Sequence, residues 1–112
     1  MEDCIFCKIV RGEIPAERVL EDDRFLAIKD LHPKAPVHVL VLPKEHLASL
    51  DQVGQWRADQ SHALLECIVA VADKLGIRES GYRIVSNVGP DAGQEVDHLH
   101  VHVLGGERLG GF

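Results

Sequence analysis

A chain of 112 residues with 46% hydrophobic and 27% charged side chains has the make-up of one compact globular domain and not of a disordered chain. Its formal net charge of -6 disfavours broad contact with a nucleic-acid polymer, which needs a concentrated basic face, but leaves room for a single nucleotide in a local pocket. No apolar run approaches the about 18 residues of a membrane span, and the opening MEDCIFCKIV carries acids where a secretory signal carries basic residues, so the expected location is cytoplasmic.

In chain order, the first signal is the pair Cys4 and Cys7 in CIFC, which with Cys67 makes three cysteines. An odd number without an export signal argues against a disulfide framework and for free thiols or metal ligands. Residues 18–30, RVLEDDRFLAIKD, read as two short strands around the turn-prone EDD, and VHVLVLPK reads as a β-rich strand stopped by Pro43. From Asp59 to Leu75 the pattern changes. Leu64, Ile68, Val71 and Leu75 recur at spacings of four, three and four, with Leu65, Val69 and Ala72 beside them, and this predicts an amphipathic helix. Asp59 or Ser61 is suited to cap its start, Lys74 to its negative end and Gly76 to a left-handed stop. A strand in GYRIVSNVG, a turn-rich PDAGQE and a histidine-bearing strand complete one domain over residues 1–112, with no repeat or linker to divide it. The expected class is α+β, a mostly antiparallel sheet with one long helix.

The histidine strand is DHLHVHVLGG, residues 97–106. His98, His100 and His102 alternate with Leu99, Val101 and Val103, so an extended backbone gathers the imidazoles on one face and the aliphatic side chains on the other. Three readings fit. Strand histidines ordinarily satisfy core hydrogen bonds or lie on a solvated face. A three-histidine metal site is opposed by geometry, since at about 3.3 Å per residue His98 and His102 stand roughly 13 Å apart along a straight strand. Nucleophilic attack on phosphorus by a neutral imidazole, with its neighbours orienting it and stabilising the developing charge, needs no metal. The loop just ahead, NVGPDAGQ, adds the amides of Asn87 and Gln94 and the close-approach glycines Gly89 and Gly93, whereas no GxxxxGK[ST] supports P-loop chemistry.

HLHVHVL resembles the His-φ-His-φ-His-φ-φ signature of the histidine-triad (HIT) superfamily, φ being hydrophobic. CIFCKIVRGEIPAE, VLEDDRFLAIKDLHPKAPVHVLVLPKEH and GYRIVSNVGPDAGQEV follow the order of its Hint branch over nearly the whole chain. The resemblance implies the HIT α+β fold with the sheet continued across a homodimer. It implies a purine nucleoside phosphoramidase, acting on an AMP or GMP conjugate with no cofactor for catalysis. Alternatives are a dinucleoside polyphosphate hydrolase of the same superfamily and a nucleotide- or zinc-binding adaptor with vestigial hydrolysis. Carried onto this chain, the resemblance makes His100 the nucleophile, with His102 and His38 completing the polar constellation. Asn87, Gly93 and Gln94 become further phosphate contacts. Phe6, Ile9, Ile28 and Leu31 become the walls around base and ribose, and Asp30 the acceptor for the ribose hydroxyls.

CIFC supplies two thiolates at a spacing that holds one side of a tetrahedral zinc. The resemblance supplies His46 and His98 as the other two ligands of a structural zinc; reduced thiols and a redox dithiol are the competing readings. The chain departs from relatives at Glu95, where some carry a serine donor, and at Asp97, where many carry an aromatic or apolar residue. An ionised Glu95 repels phosphate if aimed at it, so it is expected to point away or to meet a cationic leaving group. Asp97 reads as an exposed strand-end carboxylate. The chain stops at Phe112, sooner after LGG than many relatives, which implies a more open leaving-group side. Trp56 reads as a packing or interface residue, His62 as polar helix surface and Cys67 as core.

Overall fold

Short β-rich apolar runs in the first half of the chain form three strands of a five-stranded antiparallel sheet, seen in a computed structural model that describes residues 4–111. Glu2, Asp3 and Phe112, on which part of the leader and tail readings rests, lie outside the described residues. In chain order the elements are α1 (Ile5–Val10), β1 (Arg18–Glu21), β2 (Phe25–Lys29), β3 (Val37–Pro43), α2 (Ala58–Lys74), β4 (Tyr82–Val85) and β5 (Val101–Gly105), with 3₁₀ turns at Leu50–Gln55 and Pro90–Ala92. The strand order is β1-β2-β3-β5-β4. The α+β class and the long helix are as the sequence predicts. The six-residue α1 was not expected, because one and a half turns are too short for a helical period to register.

The period of two sorts side chains to two cores. Val39 and Val41 of β3 and Val101 and Val103 of β5 face α2, where they meet Leu64, Cys67, Ile68, Val71 and Ala72. Leu40 and Leu42 face the other way and join Leu26 and Ile28 of β2 with Phe6 and Ile9 of α1. The sheet is therefore covered by α2 on one face, while α1 covers only part of the other. The remainder of that second face is the floor of the site.

The long helix ends as its sequence directs. Gly76 has φ +74, its N–H donates to the Asp73 carbonyl, and the Ile77 N–H donates to Ala72, a Schellman stop. Its start differs from expectation. Neither Asp59 nor Ser61 is the cap; Arg57 occupies that position and the Gln60 side chain reaches back to accept from the Arg57 N–H at 2.9 Å. Lys74 leaves the helix end to donate to the Val19 carbonyl at 2.6 Å, tying α2 to β1. No helix among the described residues is long and apolar enough to cross a membrane.

Candidate active site and metal cluster

The histidine segment becomes a strand only at Val101; residues 96–98 bend, and Leu99 and His100 lead into the ladder. β3 ends at Pro43, whose ring nitrogen has no proton to offer, and the last rungs are Val41↔Val101 on one side and Val85↔His102 on the other. The three residues before Val101 are held by other means: the Leu99 N–H donates to the Leu47 carbonyl at 2.6 Å, and the Ser86 hydroxyl donates to the His100 carbonyl at 2.9 Å. Alternation survives. Leu99 is buried with Val101 and Val103 in the core beneath α2, and the histidines point to the opposite face.

His100 is 9% exposed, and its Nδ1–H donates to the His98 carbonyl at 2.7 Å. That bond fixes the tautomer and leaves Nε2 as an unprotonated lone pair. His102 has the reverse assignment. The Lys34 backbone N–H donates to His38 Nδ1 at 3.0 Å, so His38 carries its proton on Nε2 and donates to His102 Nδ1 at 2.8 Å. His102 is left with its own N–H at Nε2. Burial, reinforced by the charges of His100 and His38, pushes His102 down to about 4. Burial also lowers His38, opposed by Asp30, whose carboxylate lies 3.4 Å from its Nε2. The site thus presents one ring nitrogen free to attack, His100 Nε2, beside one donor, the His102 Nε2–H.

Two clefts adjoin here. The polar one is lined by His100, His102, Asn87, Gly93, Lys34 and Glu95. The other is apolar and takes in Ile9, Ile14, Ile28 and Leu31. They share Phe6, Asp30, His32 and Leu40. Phe6 stands edge-on to His100, ring centroids 5.0 Å apart, so α1 forms a wall common to both. Ile9 and Ile28 are buried in the wall, whereas Leu31 is 87% exposed at the rim and has no part in the core. The Asp30 carboxylate accepts from the His32 N–H at 2.8 Å and sits at the junction.

Among the residues expected to touch phosphate, Gln94 is placed otherwise. Its Oε1 accepts from the Gly89 N–H at 2.8 Å, and its Nε2 donates to the carbonyls of Ala48 and Val96. The backbone N–H groups of Gly93 and Gln94 are likewise engaged, with the Pro90 and Gly89 carbonyls. Gln94 is a clasp that shapes the loop, and the amide side chain facing the cleft is Asn87. Glu95 is exposed and is among the residues that line the polar cleft. Asp97 is exposed, as expected. Ser86, His32 and Lys34 were not singled out by the sequence reading; HPK in the loop between β2 and β3 was the available signal for the latter two.

A second group of donors lies behind Phe6. Cys4 caps α1 and its Sγ accepts from the Cys7 N–H at 3.3 Å. His98 Nδ1 is 3.3 Å from Cys4 Sγ and 3.5 Å from Cys7 Sγ, and His46 Nδ1 is 3.3 Å from Cys7 Sγ. All four ligand atoms fall within 4.8 Å of one another. His98 is fully buried and its Nε2–H donates to the Pro43 carbonyl at 2.8 Å, which leaves the Nδ1 lone pair facing the thiols. Two thiolates and two imidazoles with a backbone acceptor behind one of them fit tetrahedral zinc. Asp30, His38 and His102 are equally close together. Their proton assignments oppose a metal, because the Lys34 N–H at Nδ1 forces His38 Nε2 to keep its proton. Cys67, pushed up to about 11 by burial, is a core thiol, and His62 is exposed beside Glu66 at 3.2 Å. Trp56 stacks edge-on to Phe25 and donates to Glu45 at 3.0 Å.

Comparison with known proteins agrees with this geometry. The HIT domain family model matches residues 11–109. An uncharacterized HIT-like protein of Synechococcus elongatus is 50% identical over 109 residues, covering 96% of this chain and 94% of that protein. The purine nucleoside phosphoramidase of Escherichia coli K12 is 38% identical over 109 residues, covering 97% and 92%. A solved structure, a HIT family hydrolase from Clostridium thermocellum, has a TM-score of 0.94 at 46% identity and covers 100% of this chain and 97% of its own.

Proposed function

The chain belongs to the HIT domain family, and from that premise we propose that it hydrolyses purine nucleoside 5'-phosphoramidates to nucleoside monophosphate and amine. The observation that carries this is the His100 tautomer: Nδ1–H tied back to the His98 carbonyl, Nε2 left for the cleft. In this reading the purine and ribose lie in the apolar cleft against Phe6, Ile9, Ile28 and Leu31, with Asp30 accepting from the ribose. The α-phosphate then lies at His100. Nε2 attacks phosphorus as the P–N bond breaks, and the amine departs with a proton from cleft water. A second water cleaves the nucleotidyl-histidine and returns that proton. The His102 Nε2–H, held in place through His38, and the Asn87 amide donate to the non-bridging oxygens and gain strength as charge develops there.

An amine leaving group is favoured over a polyphosphate by the cleft itself. Glu95 lines it away from the apolar cleft, and a further phosphate beside it would face a carboxylate where an ammonium would not. The Escherichia coli relative, by its name, acts on the same class. Cys4, Cys7, His46 and His98 are proposed to hold one structural zinc, which would tie α1 to the segment before β5 and take no part in attack. A homodimer built on the β4 edge completes the proposal. The test is kcat/KM on adenosine phosphoramidate, guanosine phosphoramidate and a dinucleoside polyphosphate in parallel. The phosphoramidates are expected to be preferred; preference for the polyphosphate overturns the reading.

A further inference from the structure

We propose that Lys34 is the phosphate-binding cation of the polar cleft, the residue that makes the site prefer a nucleotide to its nucleoside. The proposal rests on the nucleotide reading of the site and adds to it the group that recognises the charge. Of the side chains lining the cleft, Asp30, Lys34 and Glu95 carry charge that does not depend on a histidine proton. Two are carboxylates. The donors beside the nucleophile, the His102 Nε2–H and the Asn87 amide, are neutral, so an anionic α-phosphate placed at His100 meets a negative field unless Lys34 turns to it.

Lys34 is rooted for that task. It lies in HPKAP between Pro33 and Pro36, whose rings fix their own φ, and its backbone N–H is bound to His38 Nδ1 at 3.0 Å. The start of its side chain is thereby fixed two hydrogen bonds from the Nε2–H of His102. Among the described residues Lys29 and Lys44 are in ion pairs and Lys74 holds the Val19 carbonyl, but none of the ion pairs includes Lys34. Its charge also reaches the relay, because it helps to lower both His38 and His102.

Only the side chain is needed for the proposed role, since the bond to His38 comes from the backbone. Substitution therefore separates the two. The experiment is calorimetric binding of AMP and of adenosine to the wild-type chain, Lys34→Gln and Lys34→Arg, with turnover of adenosine phosphoramidate measured alongside. Lys34→Gln is expected to weaken AMP about tenfold, the scale of one charge-assisted contact, while adenosine changes by less than about twofold. Lys34→Arg should retain most of the AMP affinity, and added salt should narrow the gap between wild type and Lys34→Gln. An unchanged ratio of adenosine to AMP affinity in Lys34→Gln overturns the assignment, as does equal weakening of both ligands. Wild-type chain that binds AMP tightly but leaves the phosphoramidate intact overturns the reaction and not the Lys34 contact; chain that prefers neither ligand overturns both.

Discussion

His100 and His102 stand two residues apart on one face, yet their surroundings assign the proton to opposite nitrogens. A carbonyl at His100 Nδ1 demands a donor there, and the His38 Nε2–H at His102 Nδ1 demands an acceptor. One ring is left to attack and the other to donate. His100→Ala is therefore expected to lower kcat by at least about a thousandfold, as removal of a nucleophile does, while AMP binding changes by less than about threefold. Stopped turnover with AMP affinity lost in step would instead mark His100 as a binding residue. The same environment sets a pH dependence. An unfolded His102 takes up its proton near its ordinary 6.5, whereas the folded ring refuses it until about 4, and His38 is shifted in the same direction. The unfolded state binds more protons in that window, so stability from these rings is complete above pH 6.5 and lost as pH falls toward 4. Melting temperature should decline over this range, and His102→Gln should flatten the decline. The comparison is best made in a Cys4→Ser background, where metal loss in acid contributes nothing. Equal slopes with and without His102 would remove the ring from the account.

Each element of the site is short, and what orders them is contacts between elements. α1 has six residues, too few to be stable alone, but Cys4 caps it and Cys7 faces His98 and His46. If zinc joins these four, Cys4→Ser or Cys7→Ser should leave well under one zinc per chain and lower the melting temperature on the order of 10 °C. Metal analysis of untagged protein supplied with zinc, together with calorimetry, checks both. Near-stoichiometric metal in either variant would reject this ligand set. The loop before β5 depends on Gln94 in a comparable way. Gln94→Ala strands the Gly89 N–H and the carbonyls of Ala48 and Val96, and is expected to cost about 1–3 kcal/mol in urea unfolding. These elements differ in how far the chain spells them out. β2 and β3 were legible because burial on both faces makes a short, nearly continuous apolar run, and α2 because burial on one face imposes a period of 3.6, with Gly76 marking the helix stop. The histidine alternation was legible because β5 buries one face more deeply than the other, which imposes a period of two. The bonds of Gln94 were not legible, because an amide beside two glycines has the right chemistry for phosphate and nothing local says that its partners are Ala48 and Val96. Lys34 was missed because a lysine in a loop is the commonest kind of solvated side chain, and its distinction is the register that sets it beside His38.

The molecule has two sheet edges, and they are not alike. β1 is tied down at Val19, whose side chain is buried and whose carbonyl receives Lys74. β4 pairs with β5 on one side only and exposes Ile84 at 47% and Val85 at 37%, and Leu65 of α2 is exposed at 56%. Ile84 lies opposite Val103 and so points to the same side of the sheet as α2, the helix that carries the exposed Leu65. An edge of this kind is an open template for another strand. In the proposed homodimer a second copy of the chain across a two-fold axis would satisfy it with antiparallel β4–β4 pairing and make one continuous ten-stranded sheet from two five-stranded ones. The position matters for the site, because Val85 is paired with His102 and the chain runs from it directly to Ser86 and Asn87. Whatever binds the β4 edge also steadies the strand that holds the His100 carbonyl and presents Asn87. Sedimentation at micromolar concentration is expected to give dimer mass for the wild-type chain. Leu65→Glu combined with Ile84→Lys should shift it to monomer and lower kcat/KM several-fold through the loosened Ser86–Asn87 segment, while circular dichroism stays native. Monomer mass for the wild type would show that the β4 edge is left free in solution, and a fully active monomeric variant would separate the edge from the site.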